Sequence, residues 1–448
     1  MKLTEKLLFS NRDLKKLIIP LTLEQILFML VGVADTFMVA QLGEEAISGV
    51  TLINILEYFM FTLMSSICSG GGIVISQYLG AKQPKEAKHA CEQLLSLAMA
   101  IGLIFMISGI ICHREFLQLL YKNVDASVME AADTYLFVAL FSIPCIAIHQ
   151  AGSSMFRSMN ESRIALRTVI VLNVTNIVGN YLAVYVLHAG VFGVALATVL
   201  ARILGNLLML YFAAQKRFPL HINYGNCLSI DGAMVKKILG IALPNGLENG
   251  LFAAGKVMMT SIIALFGTVQ IAANAVSNTY QIIAIFVVNA INMAMITVVG
   301  QCIGAREYEQ AKFYVKKLLK ISWIATASLS TLGILALPLT LKYYNVSEQT
   351  ARLVIELVII HNIAATILQP LCFNLPNAIR ATGDVKFSMN AGIGSMLIFR
   401  ILMAIIFGVL LDWQIYGVWL AMVADWLVRA ICFSYRWRSE KWRAYRVV

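Results

Sequence analysis

The sequence predicts an all-α integral membrane protein with 12 transmembrane helices in two six-helix parallel repeats, an N-lobe and a C-lobe. Three observations predict it. The 448 residues are 59% hydrophobic and 13% charged, against roughly 25% charged in a typical soluble domain, so most of the surface suits lipid rather than water. Twelve mainly apolar stretches are long enough to cross a bilayer, which takes about 20 residues of helix. The chain also contains itself twice at a constant offset of 224 residues. Pro20-x3-Glu24-x2-Leu27-Phe28 returns as Pro244-x3-Glu248-x2-Leu251-Phe252, and Gln77-x2-Gly80-Ala81-Lys82 as Gln301-x2-Gly304-Ala305-Arg306. Ala87-Lys88 returns as Ala311-Lys312, and Gly193-Val194 as Gly417-Val418.

In order, the spans fall near 17–41, 48–78, 91–112, 131–156, 166–188, 191–214, 238–265, 270–302, 316–341, 352–379, 388–411 and 415–437. Span 1 begins where the polar stretch through Lys16 ends. Span 6 ends at Gln215-Lys216-Arg217-Phe218-Pro219, and the polar connection runs to Lys236-Lys237 before span 7. Residues 1–214 therefore read as the N-terminal lobe, 215–237 as a cytoplasmic connecting loop and 238–448 as the C-terminal lobe. With six spans each, both copies enter the membrane in the same direction. That arrangement implies a pseudo-two-fold axis along the membrane normal, and it is one of the ways secondary transporters are built, with a binding cavity expected between the lobes.

Most of the 35 Lys and Arg lie in or at the margins of the N-terminal segment, the even-to-odd loops and the C-terminus, whereas the opposite loops hold Arg114, Lys122, Lys342 and Arg352. Basic residues accumulate on the cytoplasmic side. Both termini are expected there, in a multi-pass protein of the bacterial inner (plasma) membrane. The net charge of +11 is then topology, and no nucleic-acid partner is expected. The opening Met1-Lys2-Leu3-Thr4-Glu5-Lys6 leads into a retained first helix rather than a cleaved signal. Eight scattered cysteines without a Cys-x2-Cys pair give no disulfide framework or zinc site. Gly250-x4-Gly255-Lys256 is followed by Val257 instead of the Mg²⁺-binding Ser or Thr and lies inside an apolar span, so it is no phosphate loop. No enzyme is expected, since paired intramembrane catalytic groups do not stand out, and no cofactor beyond a coupling ion.

Polar residues inside spans carry the functional reading. Asp35 follows Pro20 by fifteen residues, about 22 Å along an ideal helix, and a carboxylate at that depth must be protonated, paired or ion-bound. Asn176 and Asn180 are one turn apart on span 5, and Thr198 is on span 6. With Asp35 they form an oxygen set suited to a hard cation such as Na⁺. Span 8 carries Asn274, Asn278, Gln281, Asn289 and Asn292 along one stripe, and span 2 has Asn54, Glu57, Ser65 and Cys68 at the positions matching the last four. Both stripes are expected to face a shared substrate cavity, joined by Glu248 and Lys256 on span 7. Arg202 is expected to approach Asp35, Arg400 to meet Asp425, and His149 and His361 to be satisfied or helix-bridging histidines rather than a proton relay.

The twelve spans in two repeats, Pro20-x14-Asp35, Asn176-x3-Asn180, Gly193-x4-Thr198, Arg157-x2-Asn160-Glu161 and Arg380-x2-Gly383-Asp384 together resemble the multidrug and toxic compound extrusion (MATE) family. The resemblance implies secondary active multidrug efflux: antiport of amphipathic, often cationic compounds against Na⁺ or H⁺, through a central cavity with alternating access. Its partners would be small-molecule drugs, organic cations and membrane lipid, and the chain would act as a monomer. Asp35, Asn176, Asn180 and Thr198 match the family's N-lobe cation site, and Pro20 marks a helix-bend position. Many members have Asp where Asn180 stands, which leaves Asp35 as the main proton acceptor. Acidic residues used in helices 7 and 10 of the NorM branch are not securely matched by Glu248, Glu356 or Gln369. The alternative is a flippase for a lipid-linked anionic glycan, favoured by Arg202, Lys256 and Arg400.

Overall fold

The computed structural model describes residues 7–122, 124–227, 229–344, 346–445 and 447–448, and the side chains of all of these except 282–284. The Met1–Lys6 opening lies outside the described residues. Twelve helical rods among the described residues follow the predicted spans in order. They are α1 Asn11–Ala40, α2 Glu44–Gly80, α3 Pro84–Leu120, α4 Ala126–Leu140 continued by Ile143–Ser158, α5 Ser162–Val186 and α6 Gly190–Ala213. After a short helix, Tyr224–Cys227, come α7 Gly232–Ala264, α8 Thr268–Gly304, α9 Tyr308–Thr340, α10 Glu348–Thr382, α11 Val385–Leu410 and α12 Gln414–Arg438.

Ten of these helices are long and apolar enough to cross a membrane, and α4, bent by 49° at its break, makes an eleventh. The remaining rod, α7, is 33 residues long but carries Asn245, Glu248, Asn249 and Lys256 in its apolar run. The bend in α4 falls where Pro144 opens the second segment, in the first turn where a missing N–H is tolerated. In α10, Pro370 starts a π-helical turn, Pro370–Asn374, because its ring removes one rung of the hydrogen-bond ladder.

The duplication is visible in the turns. Left-handed backbone occurs at Gly43, Lys82, His188 and Gly190, and again 224 residues later at Gly267, Arg306, Asp412 and Gln414. Gly43 and Gly267, at φ 107° and 94°, precede α2 and α8. A Cβ there would strain both turns, so glycine opens the second helix of each repeat.

The chain divides into two compact units, Ser10–Leu243 and Pro244–Val448, with residues 7–9 belonging to the latter. In the first, Val39, Ile53, Leu117, Tyr135, Val184 and Val194 build a core from all six helices. In the second, Met259, Val276, Leu337, Val354, Ala404 and Trp419 do the same. Phe9 is held in the second unit by Tyr314, whose hydroxyl accepts the Phe9 N–H at 2.8 Å and donates to its carbonyl at 2.7 Å. In the first, the connecting segment is pinned to α3. Gln93 accepts Asp231 N–H at 2.8 Å and donates to Ser229 O at 2.6 Å, while Ser96 donates to Cys227 O at 2.6 Å. Outside the spans, Asp231 is held below the usual carboxylate range by its hydrogen bond with His89 and by the Ala233 backbone N–H.

Candidate functional site

Three helices assemble the site in the first unit: α1 supplies Asp35, α5 supplies Asn176 and Asn180, and α6 supplies Thr198. Close approach of α5 and α6 depends on Gly179, where an added Cβ would lie 2.9 Å from the Ala197 side chain. Asn180 Nδ2 donates to Asp35 Oδ1 at 2.7 Å and lies 3.4 Å from Asn176 Oδ1. Asn176 Nδ2 donates to Thr198 Oγ1 at 3.1 Å, and Thr198 donates to Val194 O at 3.1 Å. Asn176, Asn180 and Thr198 are buried and Asp35 is half-buried. All four residues expected to act together are in one hydrogen-bonded chain. Among the described residues Asn180 Oδ1 is buried with no hydrogen-bond partner, so a lone pair stands beside a carboxylate in an apolar bundle. A carboxylate with neutral amide and hydroxyl oxygens is a hard donor set, which a proton or a small cation can satisfy.

Arg202 comes within Coulombic reach of Asp35, as expected, but its hydrogen bonds go to a different carboxylate. Its Nη1 and Nη2 donate to the two carboxylate oxygens of Glu57 at 2.8 and 2.7 Å, and Nη1 also reaches Ser142 Oγ at 2.6 Å. Depth explains it. Glu57 lies thirteen residues beyond the start of α2 and Arg202 twelve beyond the start of α6, about 18–20 Å along each helix, whereas Asp35 is only about 8 Å from its helix end. Two residues that sequence reasoning missed complete the surroundings. Tyr135 on α4 is buried beside Thr198, and Ser142 sits at the α4 break. Tyr135 lies in an apolar run with no signal of its own, but counting depth would have paired Glu57 with Arg202.

The expected cavity residues are dispersed in their environments. Asn54, Asn278 and Lys256 are exposed, and Glu57, Asn274, Gln281 and Asn289 are half-buried. Asn274 accepts from Trp419 Nε1 at 3.2 Å, and Gln281 donates to Asn278 at 3.1 Å. Glu248 does not line open space. It is buried, with Arg380 Nη2 donating to it at 2.6 Å, because both ends of a repeat-encoded clamp are inside the helices. The first unit has the same device, with Arg157 Nη1 3.6 Å from Glu24. Pro20 lies within α1, which runs without a break from Asn11 to Ala40. Arg400 meets Asp425 at 3.0 Å, as its spacing predicts. His149 contacts Thr168 and His361 contacts Asn362, each at 3.1 Å, so both rings are satisfied.

A helical membrane bundle built twice, with ionisable side chains held among its apolar spans, has the architecture of a secondary transporter. A family model described as MatE matches residues 20–182 and again 244–406, with the two matches displaced by the same 224 residues as the internal repeat. The chain belongs to the MATE family. It is similar to the uncharacterized transporter YisQ of Bacillus subtilis (strain 168), at 26% identity over 94% of this chain and 93% of that protein. It is also similar to the probable multidrug resistance protein NorM of Thermotoga maritima, at 23% identity over 98% of this chain and 94% of that one. A crystal structure of MATE in complex with MaD3S superposes with a TM-score of 0.89 at 20% identity, covering 97% of each chain.

Proposed function

We propose that this protein is a cation-coupled multidrug antiporter of the cell membrane, exchanging inward Na⁺ or H⁺ for amphipathic organic compounds by alternating access. Its NorM relatives are probable multidrug resistance proteins. One observation carries the coupling assignment: the Asp35 carboxylate is hydrogen-bonded to Asn180, whose own oxygen is buried and unpartnered. In this reading the ion binds Asp35, with Asn176, Asn180 and Thr198 supplying neutral oxygens. Val194 O and Asn176 orient Thr198, and the Glu57–Arg202 pair fixes the helices beneath. Coupling then requires the ion and the drug to favour different states, since a ligand shifts an equilibrium only by its differential affinity. Both termini are assigned to the cytoplasm on the distribution of basic loops.

The test is ethidium efflux from intact drug-sensitive cells expressing the parent chain, Asp35→Asn or Asp35→Glu at matched membrane levels. The parent should clear the dye and Asp35→Asn should retain it, with Asp35→Glu recovering part of the activity. Full efflux by Asp35→Asn would remove this carboxylate from the mechanism.

A further inference from the structure

The second unit holds an intramembrane charge cluster of the opposite sign. Asp425, fully buried, accepts Arg429 Nε at 2.8 Å and Ser395 Oγ at 2.6 Å, and stands 3.0 Å from Arg400 Nε. Arg429 Nη2 also donates to Gly392 O at 2.8 Å. The two guanidiniums lie 4.8 and 5.1 Å from the Phe252 ring, and Lys256 Nζ, from the next turn of α7, lies 5.6 Å from the same ring. Among the described residues no carboxylate other than Asp425 pairs with these three cations, since the nearest acid on α7, Glu248, is taken by Arg380. Three cations against one anion leave a positive excess.

That excess sits deep. Lys256, Arg400 and Asp425 lie eight, ten and eleven residues from the Ala264, Leu410 and Gln414 ends of α7, α11 and α12. The depth is roughly 12–17 Å along the helices, near the middle of a hydrocarbon core about 30 Å thick. Unneutralised cations there are costly and mark functional sites. Arg400 is buried against Asp425, and Lys256 is exposed. The offset of 224 places Arg400 at the counterpart of Asn176. Where the first unit sets a neutral amide near a carboxylate, the second sets a guanidinium.

We propose that Lys256, backed by Arg400 and Arg429, is a binding site for the acidic group of an amphipathic anion, whether sulfonate, carboxylate or phosphodiester. Lys256 makes the direct contact, and the two arginines supply the field that a cation would oppose. The assignment rests on the transporter reading in treating the bound anion as a substrate class.

The experiment measures binding of pyrenesulfonate and of pyrenylmethylammonium, one ring system with opposite charges, to the purified full-length protein in phosphatidylcholine nanodiscs without an ion gradient. The anion should bind at least about tenfold more tightly. Lys256→Met should abolish that preference, and Lys256→Arg should keep it. Equal affinity for both probes, or a preference unmoved by Lys256→Met, would overturn the site. Phosphatidylglycerol added to the nanodiscs separates the sources. A rise in the apparent Kd for pyrenesulfonate with lipid content identifies a lipid headgroup as a ligand of the site, and an unchanged Kd identifies free amphipathic anions. Because binding is read without a gradient, its failure leaves the coupling role of Asp35 standing, and failure of coupling in Asp35→Asn leaves this binding intact.

Discussion

Replacing Asp425 by Asn keeps the side chain's size and its capacity to bond Ser395, but removes the one carboxylate between Arg400 and Arg429. All three are almost wholly enclosed, with Asp425 0% and each arginine 5% exposed. Removing one partner of a buried ion pair costs about 3–5 kcal/mol, because the surviving charge is left without compensation. Two charges are stranded here, while Arg429 keeps its bond to Gly392 O, so about 3 kcal/mol is the expected minimum. Reversible unfolding by dodecyl sulfate in mixed micelles, followed by tryptophan fluorescence, measures it. The double change Asp425→Asn with Arg429→Met should regain part of the loss, with a coupling energy of about 1–3 kcal/mol. A single-variant loss within about 0.5 kcal/mol, the range of an ordinary surface change, would refute the reasoning.

Gly179→Val forces α5 away from α6, because a Cβ at that site already lies 2.9 Å from Ala197; the loss should be about 1–3 kcal/mol, seen as a lowered melting temperature in detergent, and an unchanged value would contradict the close packing. Tyr314→Phe strips both hydrogen bonds from Phe9 and should cost about 1–3 kcal/mol locally, read by mass spectrometry as faster hydrogen exchange at residues 8–10. Asp231 titrates below its ordinary value owing first to His89, so its contact contributes above the unfolded carboxylate pKa and is lost as pH falls through the lower folded value. Proteolysis of the connecting segment should accelerate in that acid window, and Asp231→Asn should flatten the profile.

The clearest sequence signals were those that one helix displays by itself. Asn176 and Asn180 share a face because they are one turn apart, and the 224-residue repeat placed α5 and α6 in the same unit as α1. The Arg400–Asp425 contact was legible for a similar reason, since few ionisable groups lie that deep in the second half. Pairings that depend on relative depth were harder. Glu57 and Arg202 are 145 residues apart, and only a comparison of their depths along two different helices puts them at one level. Arg157 and Arg380 read as loop charges because each stands near a span end, yet each turns inward to a glutamate four residues after a proline. The π-helical turns in α5, α10 and α11 left no pattern that apolar periodicity could register.

In the proposed mechanism Asp35 couples an ion gradient to drug export. Ethidium movement in liposomes holding the purified protein, under separately imposed Na⁺ and H⁺ gradients, tests it most directly. Movement should be driven by at least one gradient in the parent protein and by none in Asp35→Asn. Equal gradient-driven movement in the two proteins would contradict it.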